Sequence, residues 1–436
     1  MNFVRTYRIE ILLIILSLGI HLVCFALAVQ QENGDVLKAV RADDGYYEIT
    51  QNILAGNGFS WSAVPPYAPN PLRTPGYSYT LAGLIAAFGV FGAALMQLVA
   101  ASTIPIFGMY IARAITDSRN IGIFTGVILA LDPTLATLSF TFYTDTLFLL
   151  LFLPWLLLTL RYFKRLSIPT LAISALLLGL AILVRPVAQF IPLIVVPFIL
   201  WHFGKNKNEW WHGVAHAGAY VLLIGAILTP WVLRNVNEFS VPALSAQTPF
   251  VLYTNLAPAV LSVAKGTDFL SERDTFLTPE EYKGDTITPE NGNAYTKQAL
   301  AIALAHPFAT AFVIGKSLFT FFTNDGFYGF LAQIGHDPDD FLPLLVAARL
   351  VWIAITIGAV IGACIYFFTK RTPQTILVIL LIAYFALTST IAAFGTNPRY
   401  RLPVDAIIIA LAAVGITEIK TRAKRLHDSH QLKKAI

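Results

Sequence analysis

Charge is what this chain has least of. Only 13% of its 436 residues are Asp, Glu, Lys or Arg, whereas 56% are hydrophobic and the mean hydropathy is +0.67. That balance excludes an ordinary soluble globular domain, in which about a quarter of residues are charged. Cysteine is nearly absent: Cys24 and Cys364 both lie within apolar runs, so there is no disulfide framework to read. The net charge of +5 and pI near 9.0 do not mark a nucleic-acid binder. The basic residues collect at the ends of apolar runs, where membrane lipids and topology account for them. The first apolar run is too long and too weakly terminated for a cleaved signal peptide.

What is there instead is a series of apolar runs, many of them long enough for a helix to cross a bilayer. Crossings are expected at Ile9–Val29, Ala93–Ala112, Gly122–Leu131, Thr146–Leu160, Ile168–Val184, Val187–Phe203 and Val214–Leu233. Further ones follow at Pro307–Phe322, Leu342–Phe368, Thr375–Phe394 and Val404–Ile416. The shorter run Gly76–Gly89 reads as a segment lying along the membrane surface. The fold class is therefore all-α and polytopic, with about eleven or twelve transmembrane helices. Arg5 and Arg8 precede the first span and put the N-terminus in the cytoplasm by the positive-inside rule. The basic loops Arg113–Arg119, Arg161–Arg165 and Lys205–Lys207, with the tail after Lys420, fall on the same side. Four parts result: a module over 1–235 that includes an outer loop at 30–75, a second outer loop at 236–306, C-terminal helices over 307–419, and a basic tail at 420–436. The run Pro307–Phe322 breaks the parity of the last crossings, so it is either re-entrant or followed by an inward-facing 324–340.

The scarce charges then concentrate on the outer face. Asp43 and Asp44 open the first outer loop, Asp145 lies at the next outer turn, and Arg185, Arg234, Arg399 and Arg401 stand at outer span ends. Arginine there runs against the positive-inside bias, and anion binding is the simplest reason, because guanidinium matches phosphate with two parallel hydrogen bonds. Each position also has a plainer account. The aspartate pair makes a good helix N-cap, Asp145 can satisfy Thr144 or a backbone amide, and lone arginines snorkel to lipid phosphates. The turn Asn397-Pro398-Arg399-Tyr400-Arg401-Leu402-Pro403 resists the plain account, since its prolines fix its shape. His306 and His336 lack metal-ligand spacing and read as surface histidines.

The order of these segments resembles the GT-C membrane glycosyltransferases, in particular the protein O-mannosyltransferase and lipid A aminoarabinose transferase superfamily. The likeness rests on Asp43-Asp44 before Tyr47, the stretch Asn52–Ser60, and Leu72-Arg73-Thr74-Pro75-Gly76-Tyr77. It continues in Thr144-Asp145-Thr146-Leu147-Phe148, Gly179-Leu180-Ala181 with Arg185-Pro186, Pro230-Trp231 with Arg234-Asn235, and Arg399-Tyr400-Arg401. It covers residues 1 to 235 well and the remainder loosely. The resemblance implies a GT-C fold with interfacial helices in the first outer loop. It also implies a polyprenyl-phosphate sugar as donor, a lipid, glycan or protein as acceptor, and an active site on the periplasmic or extracellular side of the cytoplasmic membrane. By the family's spacing to Tyr47 the catalytic carboxylate is Asp43, with Asp44 retained because the alignment slips easily by one. One departure is visible: enzymes of this family often carry a soluble domain after the last span, and here a short basic tail follows.

The expected reaction is transfer with inversion. Asp43 or Asp44 takes the acceptor proton, Asp145 assists, and Arg399 or Arg401, helped by Arg185 or Arg234, holds the departing prenyl phosphate. Tyr47, Arg73 and Asn235 complete the expected substrate contacts. A divalent cation (Mg or Mn) bridging Asp43 or Asp145 to the phosphate is compatible with the residues. The rival readings are a membrane glycan polymerase or ligase and a secondary transporter. The transporter is disfavoured because no internal repeat is visible and the charges fall at span ends rather than mid-span.

Overall fold

Helices make up the described fold almost entirely. The computed structural model describes residues 7–42, 44–204, 210–277, 286–370 and 372–435, the last stretch with side chains to 421. Among the described residues there is no strand, only an isolated bridge between Ser60 and Pro69. By length and composition eight helical segments suffice to cross a membrane: Arg8–Gln31, Pro75–Thr116, Asp145–Arg165, Pro186–Gly204, Trp210–Phe239, Pro338–Thr369, Pro373–Gly395 and Leu402–Thr421. The pair Gly292–Ala305 and Pro307–Thr323, bent by 104°, makes a ninth if taken as one span. Arg119–Ala130 and Ile168–Val184 are shorter apolar helices. Each crossing expected from the sequence falls on one of these elements, and the chain is a multi-pass membrane protein.

Local chemistry explains the boundaries. Proline occupies the first turn of the helices beginning at Pro75, Pro133, Pro307 and Pro373, where its missing N–H costs no helical bond. The Asp132 carboxylate caps the short helix Pro133–Leu138 by accepting from the Leu135 amide at 2.8 Å. The run Gly76–Gly89 is not a separate element. It is the first section of the helix Pro75–Ala101, and Gly89 sets it off by leaving helical geometry (φ 68°, ψ 178°). The expected irregularity at Pro307 appears as the sharp bend at His306.

The core is aromatic at its centre. Phe148, Phe152 and Trp155 on one face of Asp145–Arg165 are fully buried, and Phe385 packs edge-on to Phe152 with centroids 5.3 Å apart. Inside the bundle Trp155 donates to the Tyr220 hydroxyl at 2.9 Å, and the Thr159 and Ser174 hydroxyls meet at 2.8 Å. A close helix crossing joins Leu342–Thr369 to Leu402–Ala435. There Gly358 and Gly362, spaced as in small-residue membrane interfaces, lie against the backbone of Leu411 and Gly415. A Cβ on Gly362 would overlap the Leu411 carbonyl.

The crossing yields a direct test. Gly362→Val is expected to cost at least about 1–3 kcal/mol, the usual range for overpacking, and to lower the thermal midpoint of the detergent-solubilised protein. Gly225→Ala, at a position with open space around it, is expected to leave the midpoint unchanged or slightly raised.

Candidate active site

The first loop is folded onto the ends of the helices behind it. Its short helices Val36–Val40 and Tyr46–Leu54 are anchored by a bond from the Phe142 amide to the Val40 carbonyl at 2.7 Å. Asn52 then draws the following turn back, donating to the Ser60 and Ser62 carbonyls at 2.8 and 2.9 Å. This return lays the Trp61 ring over Gly45, which has φ 77° and no room for a Cβ against that ring. Asp44 is thereby held at the entry to Tyr46–Leu54. Asp43 lies outside the described residues.

Arg73 is set from two sides. The Asn70 side chain accepts from the Leu72 and Arg73 amides at 3.0 and 2.9 Å, and the Thr74 hydroxyl donates to the Val184 carbonyl at 3.1 Å. Gly76 packs so closely on Leu183 and Val184 that a Cβ there would clash. The Arg73-Thr74-Pro75-Gly76 segment is therefore docked onto the end of Ile168–Val184, immediately before Arg185. Arg185 reaches Asp145, the first residue of Asp145–Arg165, in an ion pair whose carboxylate is 2% exposed. Arg399 arrives from the far end of the chain on the turn Pro398–Tyr400, whose start the Asn397 side chain caps by accepting from the Arg399 amide at 3.1 Å.

These elements bring three guanidiniums and two carboxylates to one cavity of about 140 Å³. Asp44 is 3.8 Å from Arg73 and 3.5 Å from Arg399, and Arg73 also donates to the Gln247 side-chain carbonyl at 3.0 Å. Aromatic rings flank each cation: Tyr46 and Trp61 for Arg73, Phe148 and Tyr400 for Arg185, Tyr143 and Tyr400 for Arg399. Apolar side chains line the cavity as well, among them Phe148, Val187, Phe385 and Ile391. A second, polar chamber of about 510 Å³ adjoins it, and Asp44, Arg73, Arg399 and Tyr400 line both.

Electrostatics follow from this packing. Burial pushes the Asp44 carboxyl up, but the guanidiniums of Arg73, Arg399 and Arg185 together outweigh it and hold the group below the usual carboxylate range. For Arg399, burial acts to lower its proton affinity; Tyr400, Asp44 and Asp145 overcome that and keep the cation charged. Among the described residues no three His, Cys, Asp or Glu side chains gather as a metal site, and Asp44 and Asp145 are each taken up by arginine. The described residues do not form a cage for a divalent cation.

Several expected site residues lie elsewhere. Arg401, expected to bind phosphate beside Arg399, is 1% exposed and pairs with Asp405 at 2.7 Å. It also donates to the Phe321 carbonyl at 2.8 Å and lies 3.6 Å over the Trp352 ring. Its cation is spent inside the fold. Arg234, the other expected phosphate helper, stacks on Trp231, Phe59 and Phe239 and donates to the Asn235 and Asn70 oxygens at 2.8 and 3.4 Å. Asn235 holds the next loop by donating to the Ala243 and Leu244 carbonyls. Tyr47 stacks on Phe142 outside the cavity wall. Sequence reasoning passed over Tyr46, Tyr400 and Gln247. The two tyrosines were visible beside Asp44 and Arg399, whereas nothing near Gln247 in the long second loop marks it.

Two measurements follow. The folded-state pKa of Asp44 lies below its unfolded value, so its contribution to stability is present above about pH 4 and lost only as pH falls through the folded value. The thermal-midpoint difference between wild type and Asp44→Asn should stay flat from about pH 8 to pH 5 and shrink only in stronger acid. Asp145→Asn, which leaves the Arg185 cation without its buried partner, is expected to destabilise by about 3–5 kcal/mol, read as a lowered midpoint.

Comparison with known proteins adds a match over part of the chain. Residues 72–232 match the family described as dolichyl-phosphate-mannose-protein mannosyltransferase. Among curated proteins none matches. Among solved structures the chain is similar to the oligosaccharyltransferase AglB of the archaeon Archaeoglobus fulgidus in complex with an inhibitory peptide and a dolichol-phosphate. That likeness has 15% identity and a TM-score of 0.49 over 96% of this chain and 52% of that one. It is also similar to the Archaeoglobus fulgidus oligosaccharyltransferase with Zn and sulfate, at 15% identity and a TM-score of 0.49 over 92% of this chain and 50% of that one. The chain spans about half the length of the structures it matches. Over the stretch 72–232, somewhat more than a third of its length, the chain is similar to that mannosyltransferase family.

Proposed function

We propose that the protein transfers a sugar from a polyprenyl-phosphate donor to an acceptor held in the second chamber, at the outer face of the cytoplasmic membrane. The observation that carries this reading is a cavity whose lining divides into the cations Arg73, Arg185 and Arg399 and the apolar side chains Phe148, Val187, Phe385 and Ile391. A prenyl phosphate has the same division, an anionic head on an apolar chain. Guanidiniums backed by aromatic rings bind phosphate oxygens in place of water, and a partly desolvated site strengthens each contact.

The chemistry is then a displacement at C1 of the donor sugar. An acceptor oxygen forms the new bond to C1 as the bond from C1 to the phosphate oxygen breaks, and the configuration inverts. The acceptor proton goes to a first-loop carboxylate, for which Asp44, on the wall common to both chambers, is the described candidate beside Asp43. A carboxylate clamped by arginines is a weak base. Arrival of the phosphate gives those arginines a better partner and raises the basicity of Asp44 when it is needed. The charge that develops on the leaving phosphate is met by Arg185 and Arg399. Asp145 keeps Arg185 in place.

Binding of decaprenyl phosphate to the protein in lipid nanodiscs tests the reading. Arg185→Ala and Arg399→Ala should each weaken binding about 10–100-fold, the worth of one or two charge-assisted hydrogen bonds. Gly225→Ala, at a position away from the cavity, should leave the affinity unchanged. Equal affinities for wild type, Arg185→Ala and Arg399→Ala would remove the phosphate assignment.

A further inference from the structure

The second chamber carries information on the acceptor. Its wall beyond the shared residues includes Arg41, Glu48, Trp61, Asn255 and Arg273. Most of these end in a planar guanidinium, carboxylate or amide, each with hydrogen-bonding atoms side by side in one plane. Glu48 is the informative member. One of its carboxylate oxygens pairs with Arg41; the other is buried and meets no donor among the described residues. A buried carboxylate oxygen without a donor is costly; the Glu48 side chain as a whole is 23% exposed, so a turn of its carboxylate brings this oxygen to a donor that arrives with a ligand. Glu48 lies in the first turn of Tyr46–Leu54, and both it and Asp44, just before that helix, line the chamber.

Asn255 reaches the same chamber from a separate element. It sits in the π-helical turn Leu252–Leu256 of the second loop, where the wider winding departs from the helices on either side. Its side-chain oxygen lies 3.3 Å from the Thr254 hydroxyl, which donates to it. Gln247 gives its side-chain oxygen to Arg73. Features that recognise a polypeptide are missing: among the described residues no strand edge exists for a peptide to extend. The chamber's aliphatic side chains are Leu72, itself 2% exposed, and Val251, too few for an apolar helix face.

We propose that the acceptor is a carbohydrate, a glycan or glycolipid headgroup, and that Glu48 is the residue that reads it. The unpartnered Glu48 oxygen accepts a hydrogen bond from one ring hydroxyl while the neighbouring hydroxyl, at Asp44, attacks the donor sugar. Asn255 meets the same ring from the opposite side. This rests on the donor reading above, and the test keeps the two apart.

The full chain in nanodiscs is titrated with decaprenyl phosphate. It is then given radiolabelled polyprenyl-phosphate sugars and an acceptor extract, both prepared from native membranes. Labelled product is sorted into protease-resistant carbohydrate and protein-bound fractions. The expected result is label in the carbohydrate fraction. Glu48→Gln should lower kcat/KM for the acceptor about 10–100-fold, with decaprenyl phosphate affinity unchanged within about twofold. Asn255→Ala, on a different element, should show the same split and stands in if Glu48→Gln fails to fold. Label appearing in protein, or normal transfer by both variants, overturns the carbohydrate assignment and leaves the donor reading standing. Failure of the wild type to bind decaprenyl phosphate overturns the donor reading, and this proposal with it.

Discussion

The ion pair between Asp145 and Arg185 is the constraint on which the cavity depends. Both groups sit at helix ends, Asp145 at the start of Asp145–Arg165 and Arg185 just past Ile168–Val184. The Asp145 carboxylate also lies at the positive end of its own helix, which favours its charge. Two antiparallel neighbours are thereby locked at one level, and Thr74 ties the first loop's Arg73 to the same level through Val184. Without that register, Arg73 and Arg185 would not share a wall. A buried pair of this kind adds little net stability compared with apolar packing, but it penalises strongly any arrangement that separates its members.

Asp44 and Arg401 show how the fold treats its other charges. Asp44 makes two long contacts, to Arg73 and Arg399, and its side chain stays 32% exposed. Arg401 makes short ones and is buried with Asp405. The first arrangement is one a competing anion can exchange into; the second is a fastening. Arg399 and Arg401 stand two residues apart, so the fastening of one fixes where the other is presented. A turn carrying one cation inward and one toward a cavity needs both.

Much of this was legible in the sequence, for identifiable reasons. Apolar runs reported the helices because a bilayer imposes length and hydrophobicity together. Asp145, Arg185 and Arg399 stood out because charge at such positions is rare and costly. Pattern alone did not separate Arg399 from Arg401, nor Arg185 from Arg234. Each pair shares sequence character, and the difference lies in partners distant along the chain: Asp405, Phe321 and Trp352 for Arg401, Asn70 and three aromatic rings for Arg234. Glu48 was silent for a related reason. Its unpartnered oxygen is a property of the chamber around it, not of the helix that carries it.

The approach to Arg399 has its own cost. Between Pro373–Ser389 and the Arg399 turn, Ala393 adopts φ 50° and ψ −121°, a backbone region an L-residue rarely enters. Its surroundings over-determine it: the side chain is 1% exposed, and its carbonyl accepts from the Ser317 hydroxyl at 3.0 Å and the Thr396 amide at 3.1 Å. The Thr396 hydroxyl closes the turn onto the Ser389 carbonyl at 3.1 Å. Glycine would relieve the strain but would leave an apolar gap beside Val313 and Phe394 and loosen the chain between Ile391 and Arg399. The same bend sets Ile391 and Ala392 into the cavity lining and delivers Arg399 to Asp44. Strain held at this point therefore serves both parts of the cavity lining at once, the apolar residues and the Arg399 cation.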